Sequence, residues 1–138
     1  MGTIIDYKEL KDAQGIYRLL VYDKALSDNL IQTFSINKKI ASELFNIKPI
    51  NRSMRLEQCF VAVLQNLPKQ PIVKDIDVLF NPVYKVDVMK MLVSAYKKEH
   101  FSLVWPGNYA DGKLTYSEEG YPDYRVYEIN DYDIMYVI

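Results

Sequence analysis

Between Gly15 and Gly107 the chain contains no glycine. That gap limits what the chain can build more than any other feature. Glycine lets backbone N–H groups converge on a phosphate, because the conformations required are cheap only without a Cβ. No GxxxxGK[ST] loop can be written anywhere in the sequence, so a phosphate cradle of that kind is excluded. Short apolar, β-branched runs nevertheless alternate with helical patterns through the same interval, as they do in α/β sheets.

At 138 residues there is room for one domain with a proper core and not for two, so 1–138 reads as a single domain. Apolar residues make up 49% and charged residues 25%, an ordinary soluble globular profile. The net charge of −1 gives no general attraction to nucleic acid or a membrane surface. Its distribution is uneven. From Pro106 onward, Lys113 and Arg125 stand against Asp111, Glu118, Glu119, Asp123, Glu128, Asp131 and Asp133, a balance of −5 that leaves +4 for residues 1–105. Cys59 is the only cysteine, so no internal disulfide forms, and its neighbours put it on the apolar face of a helix. The opening residues lack the apolar core of a secretion signal, and no stretch is apolar for long enough to span a membrane. A cytoplasmic protein is expected.

Residues up to about 14 read as a short helix or an arm. The run YRLLVYD at 17–23 reads as a buried parallel strand. KALSDNLIQTFSI is open: a loop with one helical turn, or a loop leading into a strand at 32–36. Ile36, Ile40, Leu44 and Ile47 recur at helical spacing over 37–45, and Pro49 ends that helix. A second helix covers 53–66, with Leu56, Phe60, Val63, Leu64 and Leu67 as its stripe and Asn51 or Ser53 as its cap. IVKDIDVLF is short and β-branched, so it reads as a strand. A third helix over 87–98 opens on Asp87 and ends in Lys97 and Lys98. FSLVW is another buried strand, Asp111-Gly112 turns a hairpin, and strands near 124–129 and 133–137 close an all-β tail.

Asp75 and Asp77 flank Ile76, and in a strand both would point to one face at its carboxyl end, where paired acids can hold Mg²⁺. The plainer reading is a half-exposed strand end, with Lys74 beside them. His100 is the only histidine, and without a second His or Cys at ligand spacing zinc is excluded. Its place at a helix end suits a cation against the dipole. Aromatics crowd the acidic part. Tyr and Trp supply rigid, amphipathic contact area, and they also simply favour strands. Trp105, Tyr116, Tyr121, Tyr124 and Arg125 form the candidate partner surface, whose acidic setting disfavours stacking on nucleic-acid bases.

Residues 71–127 are similar to the back half of a small P-loop NTPase domain, and more narrowly resemble BrxF, the small P-loop-containing protein of certain BREX phage-defence systems. The resemblance rests on Leu79-Phe80 with Asn81-Pro82, the helix-opening Asp87, Trp105-Pro106-Gly107, and a hairpin carrying Leu114-Thr115-Tyr116, Glu118, Gly120, Pro122, Asp123 and Tyr124. Two departures stand beside it. The family's Gly-rich phosphate loop is replaced by KALSD, and the leading acid of its acidic strand falls on Lys74, so that only Asp77 matches. The resemblance implies an α/β fold: a P-loop-NTPase-like three-layer sheet with helices, a degenerate phosphate loop and a C-terminal antiparallel β extension. It implies a non-catalytic accessory subunit, with other phage-defence proteins as partners. A homo-oligomer is a separate expectation, not part of the resemblance. No cofactor is expected. ATP with Mg²⁺ belongs to the alternative, a residual NTP-binding or NTPase module using Asp75 and Asp77. A nucleic-acid-binding domain is the third reading, resting on the excess charge of residues 1–105.

Overall fold

Leu19, Val21, Val73, Leu103, Ile134 and Tyr136 are fully buried, and they mark the strands that lie inside one sheet. In the computed structural model, which describes residues 1–10, 17–30 and 32–138, these strands are β2 (Leu19–Tyr22), β4 (Ile72–Lys74), β5 (Ser102–Val104) and β9 (Ile134–Val137). The two edges are β1 (Thr3–Ile5) and β3 (Phe34–Ser35). The order is β1-β9-β2-β5-β4-β3, with every neighbouring pair parallel. One face of these strands is fully buried, whereas Leu20, Ile72, Ser102 and Met135, in register on the other, are only half-buried. A one-turn helix, α1 (Tyr7–Leu10), follows β1; the expected arm beyond residue 10 lies outside the described residues.

Three longer helices form one layer. α2 (Asn37–Phe45) buries Ile40 and Leu44, α3 (Arg52–Gln65) buries Leu56, Cys59, Phe60, Val63 and Leu64, and α4 (Val88–Lys98) buries Met89, Leu92 and Ala95. α3 packs between α2 and α4. A second layer of long helices, as a three-layer arrangement expects, is not built by the described residues. Asp87 caps α4 as expected, accepting the Lys90 N–H at 3.0 Å. Neither candidate cap of α3 acts as one: Asn51 makes no side-chain cap bond, and Ser53 turns its hydroxyl to the Tyr84 carbonyl instead.

The strand expected over IVKDIDVLF ends at Lys74. Asp75 takes a left-handed conformation with φ of 56°, and Asp77–Phe80 forms a 3-10 turn. The cause is legible in the spacing. Ile76, Leu79 and Phe80 fall at i, i+3 and i+4, and all three are buried, so the apolar period here is helical and not alternating. Asp75 and Asp77 therefore do not share a strand face. The tail is corrected as well. β6 (Asn108–Ala110), β7 (Lys113–Tyr116) and β8 (Arg125–Glu128) make a separate antiparallel sheet around the Asp111-Gly112 turn. β9 leaves it and enters the parallel sheet between β1 and β2. In sum, the chain is α/β with a six-stranded parallel sheet and a three-stranded antiparallel one.

Candidate functional site

β2 leads off toward the β3 edge, whereas β5 leads through the small sheet back across to β9. Neighbouring strands that diverge in this way open a crevice at their carboxyl ends, where open α/β sheets take their ligands. In this chain the crevice is crossed by its own side chains. Asp23 follows β2 and caps a 3-10 helix, Lys24–Asn29, by accepting the Ala25 N–H at 2.9 Å. Its other carboxylate oxygen accepts the Tyr136 hydroxyl at 2.5 Å. Lys24 reaches across to β6, its Nζ donating to Asn108 Oδ1 at 2.8 Å. The backbone N–H of Trp105 donates to the Tyr22 carbonyl at 2.9 Å. The segment after β2, where the resemblance expects a phosphate loop, is thus a capped 3-10 helix tied to β6 and β9.

The small sheet is fastened over the end of β4. Tyr116 stacks on Phe80 with ring centroids 3.8 Å apart and planes 8° from parallel. Its hydroxyl donates to Asp77 Oδ1 at 2.7 Å. Burial first, and then the bond to Asp77, push the Tyr116 hydroxyl well above its ordinary pKa of 10.0. Asp75 points elsewhere, accepting the Ser35 hydroxyl at 2.5 Å. Both carboxylates are exposed, and each serves a different intramolecular donor. Among the described residues no three His, Cys, Asp or Glu side chains gather as metal ligands would.

Trp105 was expected on the partner surface; it is fully buried instead. It meets Phe80 and Tyr127 edge-on, and its Nε1 donates to the Thr115 carbonyl at 3.1 Å. Gly107 permits this approach: a Cβ there would stand 1.8 Å from the Thr115 oxygen. Tyr116 is half-buried in the stack just described. Tyr124 and Arg125 are also half-buried, with an Arg125 guanidinium nitrogen donating to the carbonyls of Pro122 and Tyr124. Of the five expected surface residues, Tyr121 alone stands well clear of the protein, at 61% exposed.

A second polar region lies at the opposite, amino end of the sheet. A cavity of about 470 Å³ is lined there by Arg18, Gln70, Tyr96, His100 and their neighbours. Arg18 is already committed, to Asp133 at 3.0 Å and to Thr3 and the Ile134 carbonyl. His100 lies flat on the Tyr96 ring, centroids 4.6 Å apart. Lys24, Asn108 and the pairings of Asp23 with Tyr136 and Asp87 with Tyr132 carried no local sequence signal, because each joins residues distant in the chain. No family model matches the chain, and neither a curated protein nor a solved structure matches it. Among the described residues, no helix is long and apolar enough to cross a membrane.

Proposed function

We propose that this chain is a non-catalytic interaction subunit, built on a P-loop-NTPase-like sheet whose nucleotide site has been closed over by its own side chains. Following the BrxF resemblance, it serves a phage-defence system of the BREX type. The observation that carries this reading is the Tyr116–Asp77 bond with its ring stack on Phe80. The one acid that matches the family's acidic strand is spent on fastening the small sheet. An NTPase keeps that carboxylate free for Mg²⁺. The Lys24–Asn108 bridge supports the same reading at the neighbouring strand end.

Two measurements test the two halves of the proposal. A thermal-shift titration with Mg-ATP, Mg-GTP and ADP is expected to leave the midpoint unchanged at millimolar nucleotide. A ligand at a hundred times its dissociation constant adds about 2.7 kcal/mol, which is several degrees at this size. A shift of that order, abolished by Asp77→Asn, would restore the NTP-binding module. For the biological half, phage plating is compared with and without the chain among its neighbouring genes. Protection should fall when the chain is deleted and persist in Asp77→Asn. Unchanged plating on deletion removes the defence assignment.

A further inference from the structure

The corner between α2 and α3 carries apolar side chains that the core does not use. Arg52 Nε donates to the Ile47 carbonyl at 2.9 Å and bends the chain from one helix into the next. The Ser53 hydroxyl donates to the Tyr84 carbonyl at 2.5 Å and holds the Pro82–Tyr84 turn against the same corner. Phe45, Ile50, Met54 and Val83 are left 81%, 86%, 82% and 75% exposed. Single exposed apolar residues mean little, but four large ones on adjoining elements, the end of α2, the 3-10 turn Pro49–Asn51, the first turn of α3 and the Pro82–Tyr84 turn packed on α3, are the mark of a contact surface. Lys48, Arg55 and Lys85 rim it, exposed and without an ion pair among the described residues, and Glu43 is the acid on the α2 side. The surface is apolar at its centre and cationic at its edge.

The same chain carries the complement. The 117–124 loop projects from the small sheet with Glu118, Glu119, Gly120, Tyr121 and Pro122 all exposed. It is not a slack loop. The Ser117 hydroxyl donates to Asp123 at 2.7 Å, Tyr121 N–H donates to the Glu118 carbonyl, Tyr124 N–H to the Tyr121 carbonyl, and Arg125 clasps the Pro122 carbonyl. Gly120 takes φ of 98°, a conformation that keeps the turn tight. A pre-formed loop with an aromatic tip between carboxylates loses little entropy on docking, and an aromatic anchor set among opposite charges is what an apolar, cation-rimmed corner selects.

We infer that a second copy of this chain covers the α2–α3 corner, its 117–124 loop seating Tyr121 among Phe45, Ile50, Met54 and Val83, with Glu118 and Glu119 against Lys48 and Arg55. Charge complementarity between two faces of one chain identifies the occupant. The pairing goes beyond the proposed function and does not rest on it.

The test is the mass of the purified full chain by sedimentation and light scattering, from low micromolar to about 1 mM. Association should grow with concentration and weaken with salt. Tyr121→Ala should weaken it about tenfold or more. Arg55→Glu and Glu119→Arg should each weaken it similarly, and an equimolar mixture of the two should associate as the parent does. All three positions are exposed, so circular dichroism and the unfolding midpoint should stay unchanged. A monomer at the highest concentration overturns the inference. So does unaltered association of Tyr121→Ala, or a mixture no better than its components. Because the purified chain contains no partner, a monomer leaves the accessory-subunit reading to its own nucleotide and plating tests.

Discussion

Removing the hydroxyl that joins the two sheets measures whether Asp77 is a structural acceptor. Tyr116→Phe keeps the ring stack on Phe80 and deletes only the donor to Asp77. A hydrogen bond to a charged acceptor contributes about 1.5–3 kcal/mol when shielded from water. Asp77 is exposed and Tyr116 half-buried, so solvent screening brings the expected value down to about 1 kcal/mol. For a chain of this size that lowers the unfolding midpoint by about 3–5 °C. Asp77→Ala removes the acceptor from the other side, and the double variant closes a thermodynamic cycle. Urea unfolding of the four proteins at neutral pH should give a coupling of about 1 kcal/mol. A coupling below about 0.3 kcal/mol refutes the reasoning, because independent sites add to within that margin. An Asp77→Ala variant more stable than its parent refutes it too. A carboxylate held against the interests of stability is one kept for a ligand.

Alkaline pH should unfold the protein early. Burial raises the hydroxyls of Tyr116, Tyr127, Tyr132 and Tyr136 above the ordinary 10.0, Tyr127 to about 12, and the aspartates that accept from Tyr116, Tyr132 and Tyr136 raise those three further. Below pH 10 folded and unfolded chains both hold these protons and the stabilisation is complete; above it the unfolded chain releases them first, so the midpoint should fall between pH 10 and 12. A flat midpoint across that window contradicts the assignment. Gly107→Ala forces a methyl against the Thr115 oxygen and should cost about 1–3 kcal/mol, with the fluorescence of Trp105, the sole tryptophan, shifting to the red as its cover lifts. Phe60→Ala empties a fully buried site beside Phe101, whose ring lies 5.1 Å away, and should cost about 3–5 kcal/mol by urea unfolding.

The helices were legible because each carries a sustained 3.6-residue stripe with a stop signal after it. Ile36, Ile40 and Leu44 before Pro49, and the Leu56-to-Leu64 face of α3 before Pro68, are examples. The Asp111-Gly112 hairpin was legible because that dipeptide alone sets the turn. The helical spacing of Ile76, Leu79 and Phe80 that ends β4 early was also legible, though the β-branched run masks it; Asp75 at that break is bonded to Ser35, forty residues earlier. The other failures were decided elsewhere in the chain. β1 has only three residues, none of them buried, and acquires its identity from β9. Trp105 sits in a dense aromatic segment that looks like a surface by composition. Its burial depends on Phe80 coming to meet it, which local spacing does not report. The candidate site was legible as a list of residue types but not as an arrangement. Tyr116, Tyr132 and Tyr136 each find an aspartate 39, 45 or 113 positions away.

The insertion of β9 between β1 and β2 also dictates an order of assembly. Leu19 pairs with Ile134, and Thr3 with Met135, so β1 and β2 have no mutual contact in the sheet and both depend on a strand that follows all the other described ones in the chain. While the chain is being synthesised, β2 can pair with β5 on one side but offers a bare, apolar edge on the other until Ile134–Val137 arrives. Contacts of such long separation close slowly, and an open strand edge invites pairing with the wrong chain in the interval. Folding should therefore end with a late, all-at-once locking of one side of the sheet, and a truncation that removes β9 should leave a species prone to aggregate rather than a smaller stable fold.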